Sequence, residues 1–198
     1  MLKRIAVLLS GGGTDFQSIL DAIDEKKING EVVLVVSNRE KAYGLERARQ
    51  KGIQTEVVKK NDAEILRLCR NAKVDFIVLA GYLSIVGGEL IFAYKDKIIN
   101  IHPSLIPSFS GPGYYGMHVH EEVYRRGVKV SGATIHFVSS EVDGGPIIYQ
   151  EAVDISNLNS PSDIQKRVLE IEHRILPYVV GKMCEDKVVI ENGKARII

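Results

Sequence analysis

Short runs of consecutive apolar residues alternate with helical periodicity through the first half of the chain. Ile5 to Leu9, Val32 to Val36 and Phe76 to Ala80 are rich in Val, Ile and Leu and lack polar alternation, the pattern of parallel strands buried on both faces. Between the first two, Phe16, Ile19, Leu20 and Ile23 fall at i, i+3, i+4 and i+7, one face of a helix. A second helix includes Leu45 to Gln50 and ends near Gly52, and a third is centred on Ile65 to Cys69. This βαβ alternation predicts an α/β fold with right-handed crossovers.

Beyond about residue 95 the pattern changes. Ile98 to Ile101, Ala133 to Val138 and Ile147 to Val153 read as strands, the last two forming an antiparallel pair across Ser139 to Gly145. A long helix starts near Ser160-Pro161 and carries Ile164, Val168, Ile171, Ile175 and Val179 on one face, with Pro177 a candidate kink. Lys187 to Ile190 and Ala195 to Ile198 form a hairpin through Asn192-Gly193. The expected architecture is a Rossmann-like open sheet, mainly parallel with an antiparallel C-terminal part, in one domain over residues 1–198.

Composition narrows the classes of partner. With 45% apolar and 26% charged residues in 198, the chain is neither disordered nor a disulfide scaffold. Lys and Arg number 26 against 25 Asp and Glu, a net charge of +1, so no long-range field recruits nucleic acid or an anionic membrane. The apolar runs fall far below the roughly 20 residues of a bilayer span. The first run meets Gly-Gly-Gly and continues into a helix pattern, unlike a secretory signal. Cys69 and Cys184, alone and far apart, fit a reduced, cytoplasmic setting, with the chain a monomer or homodimer.

Ser10-Gly11-Gly12-Gly13-Thr14-Asp15 lies between the first strand and the first helix. Glycines let backbone amides approach an anion, and the helix N-terminus adds about half a positive charge. No Gly-Lys-Ser/Thr follows, so this is not a Walker loop. A dinucleotide fingerprint would need a third glycine at Phe16 and an acidic residue where the second strand ends in Ser37-Asn38. A phosphomonoester suits the loop better, and a plain tight turn with Thr14 or Asp15 as helix cap is the bland reading.

Asn100-Ile101-His102-Pro103 closes an apolar strand. Residues two apart share a face, so Asn100 and His102 point together while Ile101 packs behind. An amide donor beside an imidazole suits a carbonyl oxygen becoming an oxyanion. Asp143, in the turn Ser139 to Gly145, is placed to reach His102 and hold it protonated and oriented. No nucleophile elbow is present, which favours direct transfer over an acyl-enzyme. The bland alternative is a strand end beside an ordinary turn.

Taken together, Asn100 to Pro107, His136-Phe137-Val138 and Asp143 to Ile147 resemble the folate-dependent formyltransferases. The Gly-Gly-Gly-Thr-Asp loop, Leu79 to Tyr82, Gly44 to Ala48 and Glu172-His173 are similar to the branch of that family that formylates glycinamide ribonucleotide in purine synthesis. The resemblance runs in order from about Ile5 to Tyr178. It implies the formyltransferase fold, 10-formyltetrahydrofolate as cosubstrate, a small phosphorylated acceptor and no required metal. By resemblance, Asn100 and His102 polarise the formyl oxygen with His102 as general acid, and Asp143 sustains its charge. Gly13, Thr14 and Asp15 correspond to the substrate-phosphate loop and Glu172 to a substrate contact, although from the residues alone Glu172 reads as a solvated helix carboxylate. Leu83, Ser84, Ile85 and Val86, with Ser139, Ser140, Glu141, Val142 and Asp143, correspond to the folate pocket, where Asn100 also contributes.

Several positions depart from the family pattern. Asp15 stands where Asn is usual, Ser84 replaces a basic residue, and the chain between Lys59 and Asp75 is shorter and lacks a recognisable folate-contacting Arg. Phe109 to Gly116 is longer than usual and reads as a mobile flap or a rigid turn. His118-x-His120 with Glu121 lacks a third ligand at a diagnostic spacing. Tyr82, Tyr114 and Tyr115 read as packing aromatics or as cover for a folate ring. A tRNA formyltransferase is expected to carry an added RNA-binding domain and a formyltetrahydrofolate hydrolase an N-terminal regulatory one. A noncatalytic nucleotide-binding module would leave Asn100, His102 and Asp143 without a common purpose.

Overall fold

The computed structural model, which describes residues 2–198, orders the chain as β1 (Lys3–Leu9), α1 (Thr14–Asp24), β2 (Gly30–Ser37), α2 (Tyr43–Gln50), β3 (Gln54–Val57), α3 (Asp62–Asn71), β4 (Phe76–Leu79), α4 (Gly88–Ala93), β5 (Ile98–His102), α5 (Met117–Arg125), β6 (Val130–Phe137), β7 (Ile147–Asp154), α6 (Pro161–Cys184), β8 (Val188–Glu191) and β9 (Lys194–Ile197). Seven strands form one sheet in the order β3-β2-β1-β4-β5-β6-β7. It is parallel from β3 to β5 and antiparallel at β6 and β7.

Two apolar layers explain the unalternating strands. Ile5, Val7 and Leu9 face Phe16, Ile19 and Leu20 of α1, Leu45 and Ala48 of α2, and the Ile164-Val168-Ile171-Ile175 stripe of α6. Ala6 and Leu8 face Ile65, Leu68 and Cys69 of α3. Each such burial contributes about 1.5–3 kcal/mol for the larger side chains. At the start of α6, Pro161 takes the first turn and the Ser160 hydroxyl accepts from the Asp163 amide at 3.1 Å. The helix then runs for 24 residues as one element through Pro177. The β8–β9 hairpin lays Val188, Ile190, Ala195 and Ile197 against the α6-side core.

Three elements had no hydrophobic announcement. Edge strand β3 has no buried position, α4 buries only Leu90, and α5 rests on Val119, His120 and Val123. Too few apolar side chains lie in each for a period to stand out.

From β1 the chain goes to β2 and β3 on one side, then returns to β4 on the other. The crevice between the loops after β1 and β4 is the switch point where open α/β sheets bind ligands. There the Ser10 amide donates to the Gly81 carbonyl at 3.0 Å, and the Leu83 amide to Ser10 Oγ at 2.8 Å. The glycine loop and the segment 81–86 are thereby fastened together.

Candidate active site

Strand periodicity sorts β5 as expected. Ile99 and Ile101 enter the α6-side core, while Asn100 and His102 take the opposite face. Antiparallel pairing sets His136 beside Asn100 and Thr134 beside His102, so polar side chains of two strands share that face. Residues 81–86, 111–116 and 138–143 close over it, leaving a cavity of about 340 Å³. Asn100, His102, Asp143 and the whole set Leu83, Ser84, Ile85, Val86, Ser139, Ser140, Glu141 and Val142 line this one cavity. Its size is that of a small-molecule site.

Hydrogen-bond partners assign the tautomers. His136 Nδ1 lies 2.8 Å from the Phe137 carbonyl, which only accepts, so Nδ1 carries the hydrogen. His136 Nε2 lies 3.1 Å from the Asn100 amide nitrogen and 3.6 Å from Asp143 Oδ1, so at most one amide hydrogen of Asn100 is directed at it. The second amide hydrogen of Asn100 is left for the cavity. His102 Nε2 donates to the Phe109 carbonyl at 2.8 Å, and Nδ1 lies 3.6 Å from Asp143 Oδ2. Burial pushes the His102 imidazole below its usual pKa, against the opposing pull of Asp143 and the Phe109 carbonyl. This corrects the expectation that Asp143 keeps His102 protonated: desolvation outweighs the carboxylate, and the resting imidazole is neutral at pH 7. Burial also works to raise Asp143, yet the facing His136 and His102 rings and the Gly111 amide together hold it below the usual carboxylate value.

Asp143 sits at φ 56°, a left-handed conformation uncommon for a residue with a side chain. Gly145 makes the turn possible, because a Cβ there would overlap the Phe137 carbonyl oxygen. The segment Phe109 to Gly116 closes over the same residues: the Gly111 amide donates to Asp143 Oδ2 at 2.9 Å, and Tyr114 packs edge-on to Phe109 with centroids 6.1 Å apart. Tyr82, Tyr114 and Tyr115 all line the cavity, with Tyr115 59% exposed at its mouth.

Gly13, Thr14, Asp15 and Glu172 are not in the walls of this cavity. Gly13 has φ 70° and caps α1 without a side-chain bond, and the amides of Gly12 to Asp15 find no acceptor among the described residues. Arg47, which the sequence presents only as part of a similar segment, shapes the loop by donating to the Gly12 carbonyl and Gln17 Oε1, each at 2.9 Å. Asp15 does not cap the helix. Its side chain, 14% exposed, turns towards α6, where Oδ1 lies 3.6 Å from His173 Nε2. Glu172 is 7% exposed, so the solvated reading of that carboxylate is corrected: α1 packs over a helix face that sequence alone places at the border. Thr14 and His173 edge a separate groove of about 640 Å³ between α1 and α6, which none of Asn100, His102 and Asp143 lines.

A Cβ on Gly13 would stand 2.8 Å from Gly44 Cα at a left-handed φ. Gly13→Ala is expected to cost about 1–2 kcal/mol, read in a thermal melt as a Tm about 2–8 °C lower; an unchanged Tm would show that the loop relaxes freely.

His118 and His120 do not converge. His118 is half-exposed, 3.5 Å from Glu121, whereas His120 is buried with Nδ1 unpartnered. Among the described residues no cluster of three His, Cys, Asp or Glu side chains is disposed to hold a metal ion, and no helix is long and apolar enough to cross a membrane.

A family model described as formyl transferase matches residues 3–180. The chloroplastic phosphoribosylglycinamide formyltransferase of Arabidopsis thaliana is 40% identical over 195 residues, covering 94% of this chain and 67% of its own. Glycinamide ribonucleotide transformylase 1 from Symbiobacterium toebii aligns with a TM-score of 0.92 at 40% identity, over 100% of this chain and 94% of that one. A formyltetrahydrofolate deformylase from Pseudomonas syringae pv. tomato aligns with a TM-score of 0.91 at 27% identity, and this chain covers 66% of it.

Proposed function

The chain belongs to the formyl transferase family, and from that membership we propose that it transfers a formyl group from 10-formyltetrahydrofolate to the amino group of N1-(5-phosphoribosyl)glycinamide, a step of purine synthesis. The observation that carries this reading is the meeting of Asn100, His102 and Asp143 in one cavity whose other walls are residues 83–86 and 139–142. Apolar Leu83, Ile85, Val86 and Val142 suit a flat pterin, and the backbone of the same segments suits its polar edge.

The amine attacks the formyl carbon, a tetrahedral oxyanion forms, the bond from carbon to the folate nitrogen breaks, and one proton passes from the amine to that nitrogen. Asn100 offers its free amide hydrogen to the oxyanion. His102, neutral at rest, gains basicity as negative charge develops beside it, and Asp143 facing Nδ1 favours the imidazolium. Delivering the Nε2 hydrogen requires it to exchange the Phe109 carbonyl for substrate, so residues 109–111, which clamp both His102 and Asp143, take part in the cycle. A phosphate on the free amides of Gly12 to Asp15 would anchor the acceptor, so that orientation supplies much of the rate. Residues 1–198 act in this reading as one domain, monomeric or homodimeric and without nucleic acid. Buried free thiols at Cys69 and Cys184 support a reducing compartment, with the cytoplasm the expected one.

The deciding assay mixes protein, 10-formyltetrahydrofolate and the acceptor and follows folate absorbance. Turnover that depends on the amine is expected; deformylation at the same rate without amine would identify a hydrolase, and ligand binding without turnover a noncatalytic module. Removing the acceptor's phosphate should weaken binding at least tenfold, about 1.4 kcal/mol or more. Equal affinity for both forms would discard the glycine loop as the anchor.

A further inference from the structure

Parallel strands β2, β1 and β4 finish at one edge of the sheet, where Ser37 pairs with Leu9 and Leu8 with Leu79. Asn38, the residue that follows β2, reaches over the end of β1 to the segment that follows β4. Its Nδ2 donates to Ser84 Oγ at 2.7 Å, joining residues 46 positions apart. Asn38 is half-buried and is not in the cavity wall, whereas Ser84 is. Both positions stand out in the sequence, Asn38 as a neutral residue where β2 ends and Ser84 as the replacement of a basic side chain, and the chemistry above uses neither.

Residues 81–86 belong to no helix or strand, and Leu83 and Ile85 are 40% and 79% exposed. Apolar packing leaves the middle of this wall loose, so hydrogen bonds must fix it. Ser10 holds the backbone at Gly81 and Leu83, and the Asp62 carboxylate holds it at the Gly87 amide. Between those ties, the bond from Asn38 holds a side chain of the wall itself. A hydroxyl that accepts from Asn38 keeps its own hydrogen free to donate. Asn38 Oδ1 is shut off from solvent with no hydrogen-bond partner among the described residues. An unsatisfied buried acceptor lowers stability, so this amide is poorly explained as a group kept for the fold alone.

We propose that Asn38 is a positioning residue for the folate: it fixes Ser84 in the cavity wall so that the Ser84 hydroxyl donates to an acceptor atom of the bound cosubstrate. The inference rests on the functional reading above. A neutral, oriented donor thereby stands where the family usually has a cation. The bond from Asn38 polarises that donor and reduces the ordering that binding would otherwise demand of a loosely packed segment.

Calorimetric titration of 10-formyltetrahydrofolate, without acceptor, into the full chain tests this across wild type, Asn38→Ala, Ser84→Ala and the double variant. Each single substitution should weaken folate binding about three- to tenfold, the worth of one hydrogen bond. The double variant should bind no worse than the weaker-binding single one, because both changes remove the same contact; independent effects would multiply. In turnover, KM for the folate should rise while kcat and the KM of the acceptor change far less. A merely structural amide would lower the melting temperature and leave folate affinity unchanged. Should Asn38→Ala not melt cooperatively, Asn38→Leu, similar in volume and without polar atoms, carries the same expectation. Folate affinity equal to wild type in either single variant, or losses that multiply in the double, would overturn the proposal. If folded wild type binds no folate, the functional reading fails and the proposal falls with it; binding by wild type that Asn38→Ala retains in full rejects the proposal alone.

Discussion

Replacing His102 with Ala is expected to lower kcat by about 10²–10⁴, the usual contribution of a positioned general acid, with KM for both substrates changed far less. His102 is 4% exposed, and its ring partners are the Phe109 carbonyl and the Asp143 carboxylate. Neither contact is with the groups assigned to anchoring the acceptor. The imidazole interacts most strongly with charge that exists only as the tetrahedral species forms, so its loss falls on the transition state and spares ground-state binding. Steady-state kinetics at saturating folate, with a thermal melt to confirm folding, checks this. A variant turning over like wild type would remove His102 from the chemistry.

Asp143→Asn tests the electrostatic half of the same arrangement and is expected to reduce kcat by about 10²–10³. The amide keeps the shape and an oxygen that can still accept from the Gly111 amide, so the turn is retained. What disappears is the negative charge. Burial already depresses the His102 imidazole and Asp143 opposes that depression, so its neutral replacement moves the His102 pKa further down. A fall of one pH unit in that value removes about tenfold of the imidazolium at neutral pH. The pH–rate profile should therefore move to more acidic pH while the melt remains cooperative. A profile that stays in place with an undiminished plateau would assign Asp143 to the turn alone.

Much of the site was legible because its parts are local. The two-residue spacing of Asn100 and His102 fixes a common face in any strand, and Gly11 to Gly13 between a buried strand and an amphipathic helix leaves unpaired amides wherever the sheet goes. Asp143 could be named because a polar turn between two paired strands returns close to where it left. Other features depend on distant chain. The Phe109 carbonyl and Gly111 amide, which clamp His102 and Asp143, are backbone groups in a loop whose closure no side-chain pattern encodes. His136 holds Asn100 only because β6 pairs antiparallel with β5 in that register.

By itself the sequence determined the features that periodicity and residue chemistry dictate: an open, mainly parallel sheet, the faces of its strands and helices, and the residue types able to stabilise an oxyanion and bind a phosphate. Only the tertiary structure decided the protonation of those groups. A pKa reflects desolvation and neighbouring charge, and both are set by which elements pack over a residue. The folding of loops over β5 weighs His102 towards the neutral imidazole against the expectation from Asp143, and the packing of α1 on α6 turned an apparent surface glutamate into a buried carboxyl.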